Sequence, residues 1–239
     1  MLSSVTLIVP SSAPFSSVLP KDIAGFTHLS STRTPTQVFH LLETLYAAFD
    51  KNARRRGIFK VETIGDCYVA VSGCPKARID HAVVMTRFAS NCLEDANEVF
   101  QDKNLIEQLG EGTRDLKLRV GLHSGPVTAG VVRGERARFQ LFGDTVNTAS
   151  RMESTGTPGR IQVSESTAAL LKKAHKDLWL APREGEVSVK GKGQMNTYWV
   201  LVKQSGSTTS GSTTSFETSE DLVPPNALLS RENDNEIEA

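Results

Sequence analysis

The chain has 239 residues, enough for one well-buried domain with a tail or for two small domains. Its 27 basic and 27 acidic side chains balance, and 38% apolar and 23% charged residues are typical of a soluble globular protein. No apolar run approaches the roughly 18–20 residues of a membrane-spanning helix. We therefore expect no membrane segment in this chain, no nucleic-acid partner, and a cytoplasmic location, free or as part of a longer membrane-tethered protein.

The neutral total hides an uneven distribution of charge. From Gln204 onward the chain has seven acidic residues and one basic residue, so the remainder is net positive. A mildly basic body suits a polyphosphate substrate. Three cysteines form no Cys-x-x-Cys pair, and five histidines are scattered. This pattern indicates a reducing compartment and argues against a zinc site or a disulfide scaffold.

Both ends of the chain differ in composition from its middle. Residues 1–17 are rich in Ser and Pro, and Lys21 is the first basic residue, so we predict a disordered N-terminal segment and no secretory signal. Residues 204–239 are rich in Ser, Thr and Gly and then acidic, which predicts a disordered tail. The folded domain is therefore expected at residues 18–203.

The predicted elements begin with a strand end and a tight turn at residues 22–27. Thr34 is typical of a helix N-cap, Pro35 of a first helical position and Gly57 of a helix end, and an apolar stripe lies between them. The patterns then predict hairpin strands at 59–64 and 67–72, a helix at 80–100, strands at 116–125 and 126–132, a strand at 139–141, a helix at about 147–153, a strand at 161–163, a helix at 164–173 and strands at 186–189 and 197–202.

The core of this order is strand, helix, strand, strand, helix, strand. Neighbouring strands that are joined by tight turns favour a mainly antiparallel sheet, because parallel strands need long crossovers. With helices packed on one face of that sheet, the predicted fold class is α+β.

Four polar residues suggest chemistry on a nucleoside triphosphate. Asn147 and Arg151 lie four residues apart, on one face of a predicted helix, where an amide and a guanidinium can together donate to a phosphate. Asp22 and Asp66 lie beside glycine-containing turns and supply two carboxylates for divalent cations. Asp144, just before the helix, is predicted to cap it.

Five motifs resemble, in family order, the catalytic domain of class III nucleotidyl cyclases, the adenylate and guanylate cyclases. They are Asp-Ile-Ala-Gly-Phe-Thr from Asp22, Lys-Val-Glu-Thr-Ile-Gly-Asp from Lys60, Gly-Leu-His-Ser-Gly-Pro from Gly121, Phe-Gly-Asp-Thr-Val-Asn-Thr-Ala-Ser-Arg-Met from Phe142, and Val-Lys-Gly-Lys-Gly from Val189. The resemblance covers about residues 22–202. It implies a ferredoxin-like βαββαβ core and a homodimer with its active sites in the groove between two chains.

The resemblance also implies how each groove is shared. One chain supplies Asp22, Asp66 and the backbone carbonyl of Ile23 to two Mg²⁺ or Mn²⁺ ions. Its partner supplies Asn147 and Arg151 to the ribose and phosphate. The partner's Lys190 is implied to contact the terminal phosphates, with Lys192 a weaker candidate.

Base preference depends on two further positions. Guanylate cyclases typically have Glu and Cys there, and adenylate cyclases Lys and Asp; this chain has Glu62 and Gln140. Glu62 can accept hydrogen bonds from guanine N1–H and the 2-amino group, which favours GTP as substrate. Gln140 fits neither pattern, and its amide can serve either purine. Conversion of GTP to cyclic GMP is therefore expected, with ATP to cyclic AMP as the alternative.

One segment departs from the family pattern. The strand before the first metal aspartate usually ends Phe-(Ser/Ala)-Asp, whereas this chain has Pro20 and Lys21 before Asp22. Proline is disfavoured in a central strand, and a lysine adds positive charge beside a metal ligand. We therefore expect a truncated first strand, or an N-terminal stretch that the working enzyme does not carry. A catalytically silent module that binds nucleotide or a partner domain is the second hypothesis.

Overall fold

The computed structural model describes residues 13–132, 138–189 and 192–201. The strands are β1 (Ala13–Ala24), β2 (Phe59–Ile64), β3 (Cys67–Ser72), β4 (Lys117–Val132), β5 (Arg138–Phe142), β6 (Ile161–Ser164), β7 (Leu180–Pro182), β8 (Val187–Val189), β9 (Gly193–Met195) and β10 (Thr197–Val200). The helices are α1 (Phe26–Ser31), α2 (Pro35–Arg56), α3 (His81–Phe100), α4 (Lys103–Leu109), α5 (Asp144–Ser154) and α6 (Glu165–Lys173), with 3₁₀ turns at Glu111–Asp115 and Asp177–Trp179.

The main sheet has the order β2-β3-β1-β4-β6-β10-β7, with β5 paired to β4 and with β8 and β9 forming a separate hairpin. Every pairing is antiparallel except that of β4 with β6. The succession β1, α2, β2, β3, α3, β4 is the predicted βαββαβ core, so the α+β fold class is confirmed.

Helix α2 shows how closely the local signals can specify an element. Thr34 accepts a hydrogen bond from the Gln37 N–H, the Gln37 side chain accepts from the Thr34 N–H, and Pro35 opens the first turn. Gly57 ends the helix in the left-handed region, at φ 64°. Leu41, Leu45 and Phe49 bury the apolar stripe, so this predicted helix is confirmed from cap to cap.

The helices do not all pack on one face of the sheet, and that part of the prediction is wrong. Core residues of α2, α3 and α6 pack with Leu19 of β1 on one face. On the other face Ala149 of α5 packs with the adjacent β1 residue, Val18, and with Val127 of β4. Successive residues of a strand point to opposite faces, so β1 contributes to both cores.

Strand β1 begins at Ala13, so the prediction that residues 1–17 are disordered is wrong for residues 13–17. The expected truncation is wrong as well, because Pro20 lies within β1 and pairs with Val69 of β3. The pairing of β1 with β4 runs to Val18 and resumes at Lys21. A proline offers no N–H, and the interrupted ladder accommodates it. Residues 1–12 and the predicted tail at 204–239 lie outside the described residues.

Lys21 is completely buried, on the face opposite to that expected to carry the metal ligands. Its Nζ lies 3.3 Å from the ring centroid of Phe49, 4.2 Å from Tyr68 and 4.7 Å from Phe88. Within the described chain no partner meets the geometry of a hydrogen bond to this nitrogen, although the Cys92 side chain nearby favours its charged form. Burial lowers the pKa of Lys21 to about 8, although the ring faces attract its ammonium form.

We expect Lys21→Met to stabilise the domain at pH 7 by about 1–3 kcal/mol, because it replaces a desolvated ammonium with an apolar chain of similar length. The wild-type lysine becomes neutral in the folded state above about pH 8 but in the unfolded state only near 10.5. Wild-type stability should therefore rise across that window, and the advantage of methionine should shrink. Denaturant unfolding at pH 7 and pH 10 measures both. A variant no more stable than wild type at pH 7 would show that the rings offset the desolvation.

Candidate active site

The structure brings together the two predicted metal ligands. Asp22 lies near the end of β1, and Asp66 lies in the turn between β2 and β3. Burial, a hydrogen bond with Asp22 and the charge of Asp22 raise the pKa of Asp66 to about 6. The backbone N–H of Ile23 donates to Asp66 and favours its ionised form. Asp22, Ile23 and Asp66 therefore form one oxygen-rich corner.

Sequence reasoning missed Arg119, which holds this corner from β4. Arg119 lies opposite Asp22 in the β1–β4 register. Its Nη2 lies 3.1 Å from Asp22 Oδ2, and its Nε lies 2.5 Å from Glu153 Oε1 in α5. The guanidinium thus joins a predicted metal ligand to the helix of Asn147 and Arg151. One sequence feature could have indicated Arg119. It stands between Leu118 and Val120, which are buried, so the alternation of a strand directs its side chain to the opposite face of the sheet.

Two glycines of β4 allow α5 to lie directly on the sheet. A Cβ atom at Gly121 would lie 2.1 Å from the backbone nitrogen of Glu153, and one at Gly125 would lie 2.7 Å from the Thr145 Oγ1. At Gly121 the contact is with backbone, so this position requires glycine for close approach; at Gly125 a side chain would force the Thr145 hydroxyl to shift. This packing fixes the rotation of α5 about its own axis and therefore the direction of its exposed side.

Asn147 and Arg151 lie on the exposed side of α5, one turn apart, as predicted. Within the described part of the chain neither side chain forms a hydrogen bond or an ion pair. The structure therefore does not bring them into contact with Asp22 or Asp66 of the same chain. Both remain available to a ligand or to a second copy.

The two predicted base-reading positions lie on strands that contact each other without pairing. The ring centroids of Phe59 in β2 and Phe139 in β5 are 4.8 Å apart. A bulge between Lys60 and Glu62 sets Glu62 opposite Val69, a residue of the core cluster on the α5 face. The bulge thus turns Glu62 toward that face. Gln140 is half-buried in β5.

Lys190 lies outside the described residues, so its predicted contact remains a prediction. Lys192 forms an ion pair with Asp144, the first residue of α5. The prediction that Asp144 caps this helix is wrong, because Gly143 occupies the cap position and no side chain closes it. The weaker phosphate candidate is therefore paired within its own chain.

A cavity of about 780 Å³ lies between β4, the start of α5, α6 and β9. Its walls include His123, Phe142, Asp144 and Lys192, but none of Asp22, Asp66, Asn147 and Arg151. Among the residues with described positions, no cluster of three or more His, Cys, Asp or Glu side chains suits a metal ion. The predicted catalytic groups therefore do not line this cavity.

Comparison with known proteins assigns the family. The model of the adenylate and guanylate cyclase catalytic domain matches residues 11–202, and the chain belongs to this family. It is 47% identical over 180 residues to the receptor-type guanylate cyclase gcy-28 of Caenorhabditis elegans and 46% identical over 186 residues to the atrial natriuretic peptide receptor 2 of Mus musculus. These matches cover 75% and 77% of this chain but only 13% and 17% of the two relatives.

Solved structures agree with the fold. The guanylate cyclase domain of RhGC from Catenaria anguillulae, in complex with GTP, is 38% identical with a TM-score of 0.69, over 80% of this chain and 98% of that one. A rhodopsin-guanylyl cyclase core with converted specificity, in complex with ATPαS, is 37% identical with a TM-score of 0.69, over 85% and 100%. A guanylyl cyclase domain of the RhoGC fusion protein from Blastocladiella emersonii, described as a non-canonical dimer, is 38% identical with a TM-score of 0.66, over 80% and 98%. In the described part of this chain, no helix is long and apolar enough to cross a membrane.

Proposed function

We propose that this chain converts GTP to cyclic GMP and pyrophosphate, as a homodimer with two shared active sites. The observation that carries the proposal is the contact between Asp22 and Asp66, at the end of β1 and in the β2–β3 turn. Family membership and a GTP complex of a solved relative support the same substrate class. In the reaction a bond forms between the ribose 3′-oxygen and the α-phosphorus, and the bond from that phosphorus to pyrophosphate breaks.

The corner at Asp22 fits two divalent cations. Two carboxylates in hydrogen-bond contact, one with a raised pKa, repel each other when both are ionised. With the Ile23 carbonyl they make a set of hard oxygen ligands that suits Mg²⁺ or Mn²⁺. Bound there, such ions would lower the pKa of the ribose 3′-hydroxyl and neutralise the leaving pyrophosphate.

The remaining groups orient the nucleotide and bind its charge. Arg151 would donate to the α-phosphate as negative charge develops, and Asn147 would hold the ribose. Glu62 would accept from guanine N1–H and the 2-amino group, beside Gln140. Lys190 would bind the terminal phosphates. Arg119 would hold Asp22 directed into the corner, because it donates to one of its oxygens.

The open position of Asn147 and Arg151 supports a shared site. Both side chains are exposed and unpaired within the described residues of their own chain, whereas Asp22 and Asp66 contact each other. A second chain in twofold symmetry would place each α5 against the other chain's carboxylates. A solved relative, described as a non-canonical dimer, supports self-association of such domains but not this particular arrangement.

Mixing chains tests the shared site. Asp22→Ala and Arg151→Ala chains should each lose activity by a factor on the order of 10²–10³ with Mn²⁺ and GTP. In a heterodimer one groove carries both lesions and the other carries none. A one-to-one mixture should therefore recover about a quarter of wild-type cyclic GMP formation.

Mixing Asp22→Ala with Asp66→Ala chains is the matched control. Both lesions fall in the same half of the site, so each groove remains damaged and no activity should return. An absence of recovery in demonstrated Asp22→Ala/Arg151→Ala heterodimers would contradict the shared site. Cyclic product that persists in Asp66→Ala chains alone would contradict the role of the carboxylates.

Substitutions at Glu62 and Gln140 test the preference for guanine over adenine. Glu62→Lys with Gln140→Asp should move the ratio of kcat/KM for GTP and ATP toward ATP by at least about tenfold, because the guanine acceptor is replaced by a donor to adenine N1. Gln140→Cys should retain the preference for GTP. An unchanged ratio in the double variant would show that these positions do not read the base.

A further inference from the structure

Tyr46 makes a contact with the turn that carries Asp66. Its hydroxyl donates to the backbone carbonyl of Gly65 over 2.8 Å. Gly65 has φ +60°, in the left-handed region, and a Cβ there would have no neighbour within 4 Å. The turn is thus open on its outer side. The Tyr46 hydroxyl reaches the backbone of this turn from helix α2.

Two features of this turn favour its outward displacement, which such a contact opposes. It joins β2, an edge strand, to β3, and Ile64 at its start is 61% exposed. Few packed neighbours therefore hold it. Asp66 also faces Asp22, and two ionised carboxylates would push the turn outward. A hydrogen bond to the Gly65 carbonyl fixes the peptide group immediately before Asp66.

Tyr46 itself is well anchored. Its ring centroid lies 5.7 Å from that of Tyr68 and 6.4 Å from that of Phe49, in tilted contacts. In the same helix, Leu45 and Leu41 are fully buried in the main core and hold α2 in place. Burial and the charges of Asp66 and Asp22 raise the pKa of Tyr46, so its hydroxyl keeps its proton and remains a donor.

We propose that Tyr46 is a positioning residue for Asp66: through the Gly65 carbonyl it holds the second carboxylate against Asp22, in the geometry that divalent cations require. The proposal rests on the proposed function, because it assigns Tyr46 to the same cation corner. The Tyr46 hydroxyl acts on Asp66 only through the Gly65 carbonyl, so its effect should fall on cation affinity and not on the chemical step once cations are bound.

Tyr46→Phe removes only the hydroxyl and tests this role. The Mn²⁺ concentration for half-maximal activity should rise about 3- to 10-fold, the range that the loss of one hydrogen bond allows. The rate at saturating Mn²⁺ should stay within about twofold of wild type, since Asp66 retains its chemistry. Mn²⁺ binding without nucleotide, measured by loss of the free-ion EPR signal, should weaken by a similar factor.

Tyr68→Phe is the matched control. Tyr68 packs in the same aromatic cluster, but its hydroxyl donates to Asp50 over 2.8 Å and does not reach the turn. Its Mn²⁺ dependence should equal that of wild type. Unchanged Mn²⁺ binding in Tyr46→Phe, or an equal loss in Tyr68→Phe, overturns the proposal. An inactive wild-type chain would contradict the proposed function alone, because the binding comparison needs no turnover.

Discussion

Two carboxylates in contact, Asp22 and Asp66, are the constraint on which the site depends. An ionised carboxylate is better solvated alone in water. Burial and the neighbouring Asp22 raise the pKa of Asp66 to about 6. The surrounding structure holds them in place: Arg119 donates to Asp22, the Ile23 N–H donates to Asp66, and Tyr46 donates to the turn before it. We propose that a cation would offset the repulsion between these carboxylates, which would give this corner its affinity for divalent ions.

Strand alternation separates this corner from the core behind it. Asp22 faces α5, whereas its neighbour Lys21 faces α2 and α3, where three rings enclose its ammonium group. The lysine that precedes the predicted metal ligand in the sequence is therefore directed away from it. A buried lysine and a predicted metal ligand are compatible on adjacent positions because β1 is one continuous strand through Pro20.

The sequence predicts much of this molecule because many of its signals are local. A cap, a proline and a terminal glycine define α2, and alternation around a Gly-Asp turn defines the hairpin of Asp66. The rest depends on contacts between distant segments. Pairing with β3 overrides the low strand propensity of Pro20. Arg119 acquires its role from the β1–β4 register, and the face occupied by α5 depends on how closely a helix can approach Gly121. Neither can be found in a local pattern.

The most direct test of the cation corner is calorimetric titration of Mn²⁺ at pH 5.5 and 7.5, in two buffers of different ionisation enthalpy. Asp66, with a pKa of about 6 in the metal-free protein, must lose its proton to bind a cation. Binding should be about fourfold weaker at pH 5.5 than at pH 7.5, and near pH 6 it should release about half a proton. Asp66→Asn should abolish both effects. Equal affinity at both pH values without proton release, or unimpaired binding by Asp66→Asn, would contradict the account.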